Sequence, residues 1–205
     1  MSVSPFCAMK RQLFGILTIL TLATTLLHAQ ETPAPAEPEA TTEEAAATPT
    51  PAVDKEPIDL FEALDYDEET DTHYEPGTKI GYTGPVYVMS DDGTYKEAEG
   101  YLKDGHEEGW WIEYYPDGTK SSEGAYKAGN EVGYWTYWHE NGQFESGGEY
   151  RDGSPEGLWI TFFENGKKDS EGRYRDGLMD GEWLFYDETD GKPVKMTFDK
   201  GVQLK

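Results

Sequence analysis

Four acidic residues alternate along one short stretch of the chain, as carboxylate ligands do at the start of a calcium-binding loop. They are Asp65, Asp67, Glu69 and Asp71. Such a loop also needs a glycine at its sixth position and a bidentate glutamate at its last, where this chain has Thr70 and Pro76. The stretch is therefore interpreted as a solvated acidic run, and no metal site is predicted.

The histidines and serines do not form a catalytic pattern. His73, His106 and His139 have no metal-ligand spacing with another histidine or with cysteine, and no G-x-S-x-G nucleophile motif is present. Pairs of carboxylates hydrolyse glycosidic bonds only when a cleft holds them on opposite sides of a sugar. Because a single-layer sheet offers little cleft, the sequence predicts neither an enzyme nor a bound cofactor.

Aromatic side chains at a regular spacing are the remaining residues that could recognise a ligand. One set, which we call the ladder residues, recurs every 24 positions: Tyr114, Trp138, Phe162 and Tyr186. Rings in a row can stack on sugars or pack against a protein, since each presents a large apolar area with few rotatable bonds. The ladder residues are the predicted binding site.

The same period runs through the tryptophans and glycines that frame the ladder residues. A glycine stands two positions before each tryptophan of the series. The tryptophans are Trp111, Trp135, Trp159 and Trp183, and the glycines are Gly109, Gly133, Gly157 and Gly181. A fixed period of roughly 20–50 residues is typical of repeat architectures, in which each unit packs on its neighbours. We predict that both series are structural.

Each unit is predicted to be a β-hairpin. The stretch around Trp135 is aromatic and β-branched, which favours a strand. Asn141-Gly142 follows it with the residue types of a type I′ turn, and a second turn is expected at Asp152-Gly153. We therefore predict an all-β fold, an elongated, single-layer, twisted antiparallel meander of tandem hairpins with about ten strands.

Alternation of side chains along a strand assigns the aromatic columns to opposite faces of this sheet. Trp135 is expected on one face, and Thr136 and Trp138 on the other. Each returning strand contains a glycine, such as Gly148, and an aromatic ring is expected to lie flat over that bare backbone. Met196 replaces the glycine in the last unit, so the last hairpin is expected to pack differently and to act as a cap.

The repeated pattern Glu-Gly-x-Tyr-x-x-Gly-x-x-x-Gly-x-Trp-x-x-aromatic-x-x-x-Gly resembles the MORN repeat (membrane occupation and recognition nexus). It is most similar to the bacterial variant of that repeat, often labelled a toxin–antitoxin antitoxin. Two stretches match best, Glu123–Trp135 and Glu171–Trp183, and the resemblance covers residues 84–205. It implies a twisted sheet of successive hairpins that serves as a scaffold or binding platform.

The residues before the repeats divide into three segments. Residues 1–29 have the basic start, apolar run and small-residue end of a secretory signal peptide, with a retained N-terminal anchor as the alternative. Residues 30–56 are rich in Pro, Ala, Glu and Thr and are predicted to form a disordered linker. Residues 57–83 stay acidic but contain large apolar side chains, so they either dock as an N-terminal cap or remain solvated. Residues 84–205 form the predicted repeat domain.

Acidic residues outnumber basic ones throughout the chain. The 41 Asp and Glu against 17 Lys and Arg give a formal net charge of −24. Phosphate backbones and anionic lipid headgroups bind clusters of Lys and Arg, so the composition excludes nucleic acid and disfavours anionic membranes as partners. No cysteine follows the predicted signal peptide, which is consistent with a periplasmic or extracellular protein that uses no disulfides.

Together these patterns predict a non-catalytic, exported protein that binds another protein through its aromatic face or an open sheet edge. Self-association into a homodimer through the last hairpin is a further prediction. The alternative is binding of cell-wall or other carbohydrate through an exposed aromatic ladder. The two hypotheses differ in whether the ladder residues lie exposed or covered.

Overall fold

The computed structural model describes residues 55–205. The predicted signal peptide and residues 30–54 of the predicted linker lie outside the described residues. The described part contains one short helix, α1 (Leu60–Ala63), and fifteen strands. In chain order these are β1 (Ile58–Asp59), β2 (Asp65–Asp67), β3 (Thr72–Tyr74), β4 (Gly84–Met89), β5 (Lys96–Lys103), β6 (His106–Glu107), β7 (Gly109–Tyr114), β8 (Lys120–Lys127), β9 (Asn130–Trp138), β10 (Phe144–Arg151), β11 (Ser154–Phe162), β12 (Lys168–Arg175), β13 (Leu178–Tyr186), β14 (Pro193–Asp199) and β15 (Val202–Gln203). No helix in this range is long and apolar enough to cross a bilayer.

Thirteen of the strands form one open sheet, in which almost every strand pairs with its neighbour in sequence. Its order is β1-β4-β5-β7-β8-β9-β10-β11-β12-β13-β14-β15, with β6 paired to β5. All pairs from β4 onward are antiparallel, so the predicted all-β meander of hairpins is confirmed. The edge strand β1 lies parallel to β4, which the hairpin pattern does not predict. Parallel pairing needs a long connection, and the stretch from α1 to β4 provides it.

The turns at the hairpin tips differ from the sequence prediction. At Asn141-Gly142 only the glycine has a positive φ, of 79°. The Gly142 N–H donates to the His139 carbonyl, and the Gln143 N–H donates to Asn141 Oδ1. This is the pattern of a type I turn followed by a left-handed glycine, so the predicted type I′ turn is wrong here. The asparagine side chain holds its local backbone in an Asx turn instead.

Type I′ turns lie at the opposite ends of the hairpins. Asp152 and Gly153 both have positive φ, at 48° and 77°. Four further turns share this conformation: Asp104-Gly105, Ala128-Gly129, Asp176-Gly177 and Lys200-Gly201. The Gly153 N–H also donates to the Glu131 carbonyl of the preceding unit at 3.0 Å, and the other four turn glycines make equivalent bonds. These turns therefore join adjacent units as well as adjacent strands.

The core of the repeats is a row of rings on one face of the sheet, which we call the tryptophan face. Its four repeat tryptophans are 1–3% exposed. Each lies over the glycine of the preceding returning strand, as predicted: a Cβ on Gly148 would lie 2.4 Å from the Trp159 ring. Tyr150 fills the space between Trp135 and Trp159, with ring centroids 6.1 and 5.2 Å away in edge-to-face contact. The rings form one continuous stack along the face.

The two ends of this stack differ from its middle. In the last hairpin Met196 pairs with Trp183, and the strand beyond, β15, contributes no tryptophan that would need a glycine beneath it. At the other end, Leu60 of α1 is 1% exposed and joins the same hydrophobic cluster as Trp111. The Gly105 carbonyl accepts a hydrogen bond from the His73 N–H at 3.0 Å. Residues 57–83 thereby add apolar side chains to the N-terminal end of the core.

Candidate binding surface

The ladder residues lie on the opposite side of the sheet from the core tryptophans, on what we call the ladder face. Each follows a core tryptophan by three positions, so strand alternation turns it to the other face. All four lie at the ends of outgoing strands and are half-buried. Each of them sits opposite the first residue of the next returning strand, for example Trp138 opposite Phe144. The structure thus brings all four predicted binding residues onto one surface.

Tyr114 is held by a lysine and a glutamate of the preceding strand. Lys96 Nζ lies 5.1 Å from the centroid of the Tyr114 ring and 2.5 Å from a Glu99 carboxylate oxygen. The Tyr114 hydroxyl donates to the other oxygen of Glu99. Burial and this hydrogen bond raise the pKa of Tyr114 to about 12. Although burial of Glu99 opposes the effect, its bonds with Lys96 and Tyr114 lower the pKa of the carboxyl group.

The same lysine–glutamate–aromatic cluster recurs in two more units. They are Lys120, Glu123 and Trp138 in one, and Lys168, Glu171 and Tyr186 in the other. In the latter, Lys168 Nζ lies 5.6 Å from the ring centroid and 2.9 Å from the carboxylate. The hydrogen bond from the Tyr186 hydroxyl to Glu171 raises the pKa of Tyr186 to about 12. In all three clusters a lysine ammonium therefore lies over the ring of the ladder residue.

Phe162 is the ladder residue without such a cluster. The lysine position is occupied by Phe144 and the glutamate position by Gly147. The Phe144 and Phe162 rings make edge-to-face contact, with centroids 5.4 Å apart. A Cβ on Gly147 would lie 2.5 Å from the Tyr134 hydroxyl and 3.1 Å from Phe144. We call Tyr134, Phe144, Gly147 and Phe162 the apolar window, because it interrupts the charged pattern at one unit.

A second apolar column, absent from the sequence prediction, lies on the ladder face. It consists of the residue before each core tryptophan: Trp110 is 40% exposed, Tyr134 44% and Leu158 49%. We call these three the outer column; Glu182 stands at the fourth position. The signal for it was present in the sequence, because it shares the 24-residue period and alternation turns it away from the core.

The predicted structural glycines all adopt a backbone conformation that favours glycine. Gly109, Gly133, Gly157 and Gly181 have φ of 73°, 67°, 72° and 75°. At Gly157 the pairing of β10 with β11 shifts register, so the chain there makes an irregular step. The left-handed backbone at this glycine allows the outgoing strand to shift its register against the neighbouring strand just before the tryptophan.

The acidic run and the histidines have structural contacts. Within residues 55–205 no three His, Cys, Asp or Glu side chains are arranged to hold a metal ion. Asp67 pairs with Lys79 at 3.2 Å and caps its own turn by accepting from the Glu69 N–H. Burial lowers the pKa of His73 to about 4, which keeps its ring neutral near pH 7. His139 Nε2 hydrogen-bonds the Phe162 carbonyl at 2.8 Å and so links two units.

Comparison with known proteins identifies one of the repeats. No curated protein sequence matches the chain. Residues 155–176, which run through β11 and β12, match the family described as the MORN repeat variant. The matched stretch contains Trp159, the ring that covers Gly148, and Tyr174, which packs between Trp159 and Trp183. The match therefore supports the MORN-repeat family for this chain.

Proposed function

We propose that this chain is a non-catalytic, exported repeat protein whose ladder face is a docking surface for another protein. The observation that carries the proposal is the outer column, in which three large apolar side chains are 40–49% exposed on a face that the core does not use. Clustered exposed apolar residues, aromatic ones above all, are characteristic of interaction sites. MORN repeats are generally associated with protein or membrane binding, which supports a binding role.

Charge supports a protein partner rather than an anionic membrane. The chain has a formal net charge of −24, and residues 99–205 hold 23 acidic and 12 basic residues. Such a surface repels lipid phosphates and steers basic proteins toward it. A partner with a basic, partly apolar surface fits both features of the ladder face.

Carbohydrate binding remains the second candidate because Trp110 presents an exposed indole ring. Sugar stacking needs an open ring face, however, and Lys96 and Lys168 lie over the rings of Tyr114 and Tyr186. The ladder residues are half-buried, and the hydroxyls of Tyr114 and Tyr186 donate hydrogen bonds to glutamates. These contacts favour the protein-docking proposal over an aromatic ladder for sugars.

Self-association through the last hairpin is a separate proposal. β15 pairs with β14 only at Phe198 and Asp199, and Val194 and Val202 are 56% and 66% exposed. An uncovered edge of this kind invites strand addition by a second copy. Light scattering at rising concentration tests it: a dimer whose mass falls to that of a monomer on Val194→Lys supports the proposal, and a monomer at every concentration contradicts it.

Mutation of the outer column tests the docking proposal. Trp110→Ser combined with Leu158→Ser is compared with Ile80→Ser combined with Leu178→Ser, a pair of similarly exposed apolar residues outside the outer column. Each tagged chain is cross-linked in cell-envelope and secreted fractions, and captured proteins are quantified. We expect specific capture to fall at least about tenfold in the outer-column variant and to persist in the control. Equal capture by both, or release by free cell-wall glycan, contradicts the proposal.

A further inference from the structure

The apolar window lies at the centre of a row of ladder-face residues in which glutamates otherwise alternate with uncharged residues. Strand pairing aligns one ladder-face residue from each strand across the sheet. From β7 to β13 this row is Ile112, Glu123, Thr136, Gly147, Ile160, Glu171 and Leu184. Returning strands contribute a glutamate on either side of Gly147. Since neighbouring strands lie about 4.8 Å apart, an uncharged gap of roughly 19 Å separates the backbones of Glu123 and Glu171.

The fold does not require the residues that make this gap. Three other units place a lysine and a glutamate at the positions of Phe144 and Gly147, on the same hairpin framework. The ring of Tyr134 is 44% exposed, and those of Phe144 and Phe162 are half-buried. One unit thus replaces an ion pair by a partly exposed aromatic cluster on a framework that accommodates the ion pair in three other units.

Carboxylates lie on several sides of the window. Glu123 and Glu171, each paired with a lysine of its own strand, flank it across the sheet. Glu145 and Glu149 stand two residues before and after Gly147 along β10 and add negative charge beside it. The Glu145 side chain is 46% exposed, and Glu149 is exposed. An apolar patch beside exposed carboxylates, on a chain of strongly negative net charge, complements an apolar side chain that sits between basic residues. A second copy of this chain is a poor occupant, because it carries the same net charge of −24.

We propose that the apolar window is the anchor point of the docking surface and binds one large apolar side chain of a partner protein, presented between lysines or arginines. The inference rests on the proposed function and deepens it by naming the partner's chemistry. Interfaces draw most of their affinity from a few central anchors surrounded by a polar rim, and the window with its glutamate border has that composition.

The test converts the exceptional unit to the pattern of its neighbours. The double substitution Phe144→Lys with Gly147→Glu, which we call the converted variant, introduces the ion pair found in three other units. A Cβ at Gly147 would contact the hydroxyl end of the exposed Tyr134 and the ring of Phe144. The variant removes the Phe144 ring, which makes room for the glutamate side chain. The control is Lys96→Glu with Glu99→Lys, which reverses the equivalent ion pair two units away, outside the glutamate border, and keeps the net charge. Circular dichroism and thermal unfolding verify that both variants fold.

The probe is a phage-displayed library of random twelve-residue peptides, selected on the purified chain and counter-selected on the converted variant. We expect enriched sequences with one aromatic or large aliphatic residue between basic residues. By fluorescence anisotropy, such a peptide binds at least about tenfold more weakly to the converted variant and equally well to the control. Absence of selective enrichment, enriched sequences without an apolar residue, or competition by soluble cell-wall glycan overturns the proposal.

The outer-column variant separates this inference from the proposed function. If peptides selected on the natural chain without counter-selection bind the converted variant as tightly, but lose binding on Trp110→Ser with Leu158→Ser, the anchor proposal is overturned and the docking surface stands. If natural partner capture also survives the outer-column changes, the proposed function fails as well.

Discussion

The tryptophan face and the ladder face share one 24-residue period but differ in how strictly it fixes residue type. On the tryptophan face the four core positions are all tryptophan, and each ring lies over a glycine. On the ladder face the corresponding column holds Tyr, Trp, Phe and Tyr, and the fourth position of the outer column is a glutamate, Glu182. Close packing against bare backbone leaves no room for change, whereas a half-exposed face tolerates it. The period therefore fixes residue type on the tryptophan face and leaves it variable on the ladder face.

Adjacent residues on opposite faces give matched pairs that test this comparison. Trp110 and Trp111 have the same side chain but are 40% and 2% exposed. Gly147 and Gly148 are also neighbours, and their Cβ positions meet the hydroxyl of the exposed Tyr134 and a buried indole, respectively. In each pair residue type is held constant and only the face differs.

The largest effect is expected at the tryptophan pair. Trp111→Ala should lower the free energy of unfolding by about 3–5 kcal/mol, because it leaves a cavity beside Gly100 and Tyr126. Trp110→Ala should lower it by about 1 kcal/mol or less, since that ring is partly in water. Urea unfolding followed by circular dichroism measures both. Similar losses for the two variants would contradict the division into a structural and a recognition face.

The glycine pair should show a smaller difference of the same sign. Gly148→Ala forces a methyl group into the Trp159 ring and should cost about 1–3 kcal/mol by overpacking. Gly147→Ala should change stability by less than about 1 kcal/mol, because Tyr134 can swing aside and alanine is favoured over glycine in a strand. Thermal unfolding midpoints rank the two variants. A loss at Gly147 equal to that at Gly148 would show that both faces are closely packed.

Tyrosine ionisation distinguishes the faces through pH. On the tryptophan face burial raises the pKa of Tyr126, whereas on the ladder face the bond to Glu171 raises that of Tyr186 to about 12. A raised folded-state pKa contributes stability fully below the unfolded value of 10, and this contribution is lost as pH rises through about 12. We expect Glu171→Gln to return the pKa of Tyr186 toward 10 and to leave Tyr126 unchanged.

Ultraviolet difference titration of tyrosinate measures this effect. Tyr186→Phe serves as the control, because it removes the signal that Glu171→Gln is expected to shift. If Glu171→Gln leaves the titration curve in place, the hydrogen bond to Glu171 does not set the pKa of Tyr186.

The smallest effect is expected at the lysines above the ladder rings. Lys168→Met keeps the aliphatic stem but removes the ion pair with Glu171 and the charge over Tyr186, and should cost about 0.5–1 kcal/mol. Lys127→Met, at the exposed end of β8, is the control and should be neutral. Added salt should narrow the difference, since screening weakens a partly exposed pair. A loss that is independent of salt would point to packing by the lysine stem instead.

Local pattern predicted much of this architecture. The spacing of Trp135, Gly148 and Trp159 was enough to assign strands, faces and the covering of glycine by an indole ring. It did not predict the tip turns, because Asn141 can hold its backbone through an Asx bond as readily as it can adopt positive φ. Nor did it predict the parallel strand β1, whose partner depends on where a distant segment docks.

The sequence by itself determined the sheet, its period and the face on which each column lies, because alternation along a strand is a property of the local backbone. Only the tertiary structure decided how exposed each column is and which side chains meet across strands. Lys96, Glu99 and Tyr114 form a cluster because antiparallel pairing brings β5 beside β7, and Phe144 and Phe162 meet in the same way between β10 and β11. Exposure and contact depend on what other strands place nearby, and no residue determines that alone.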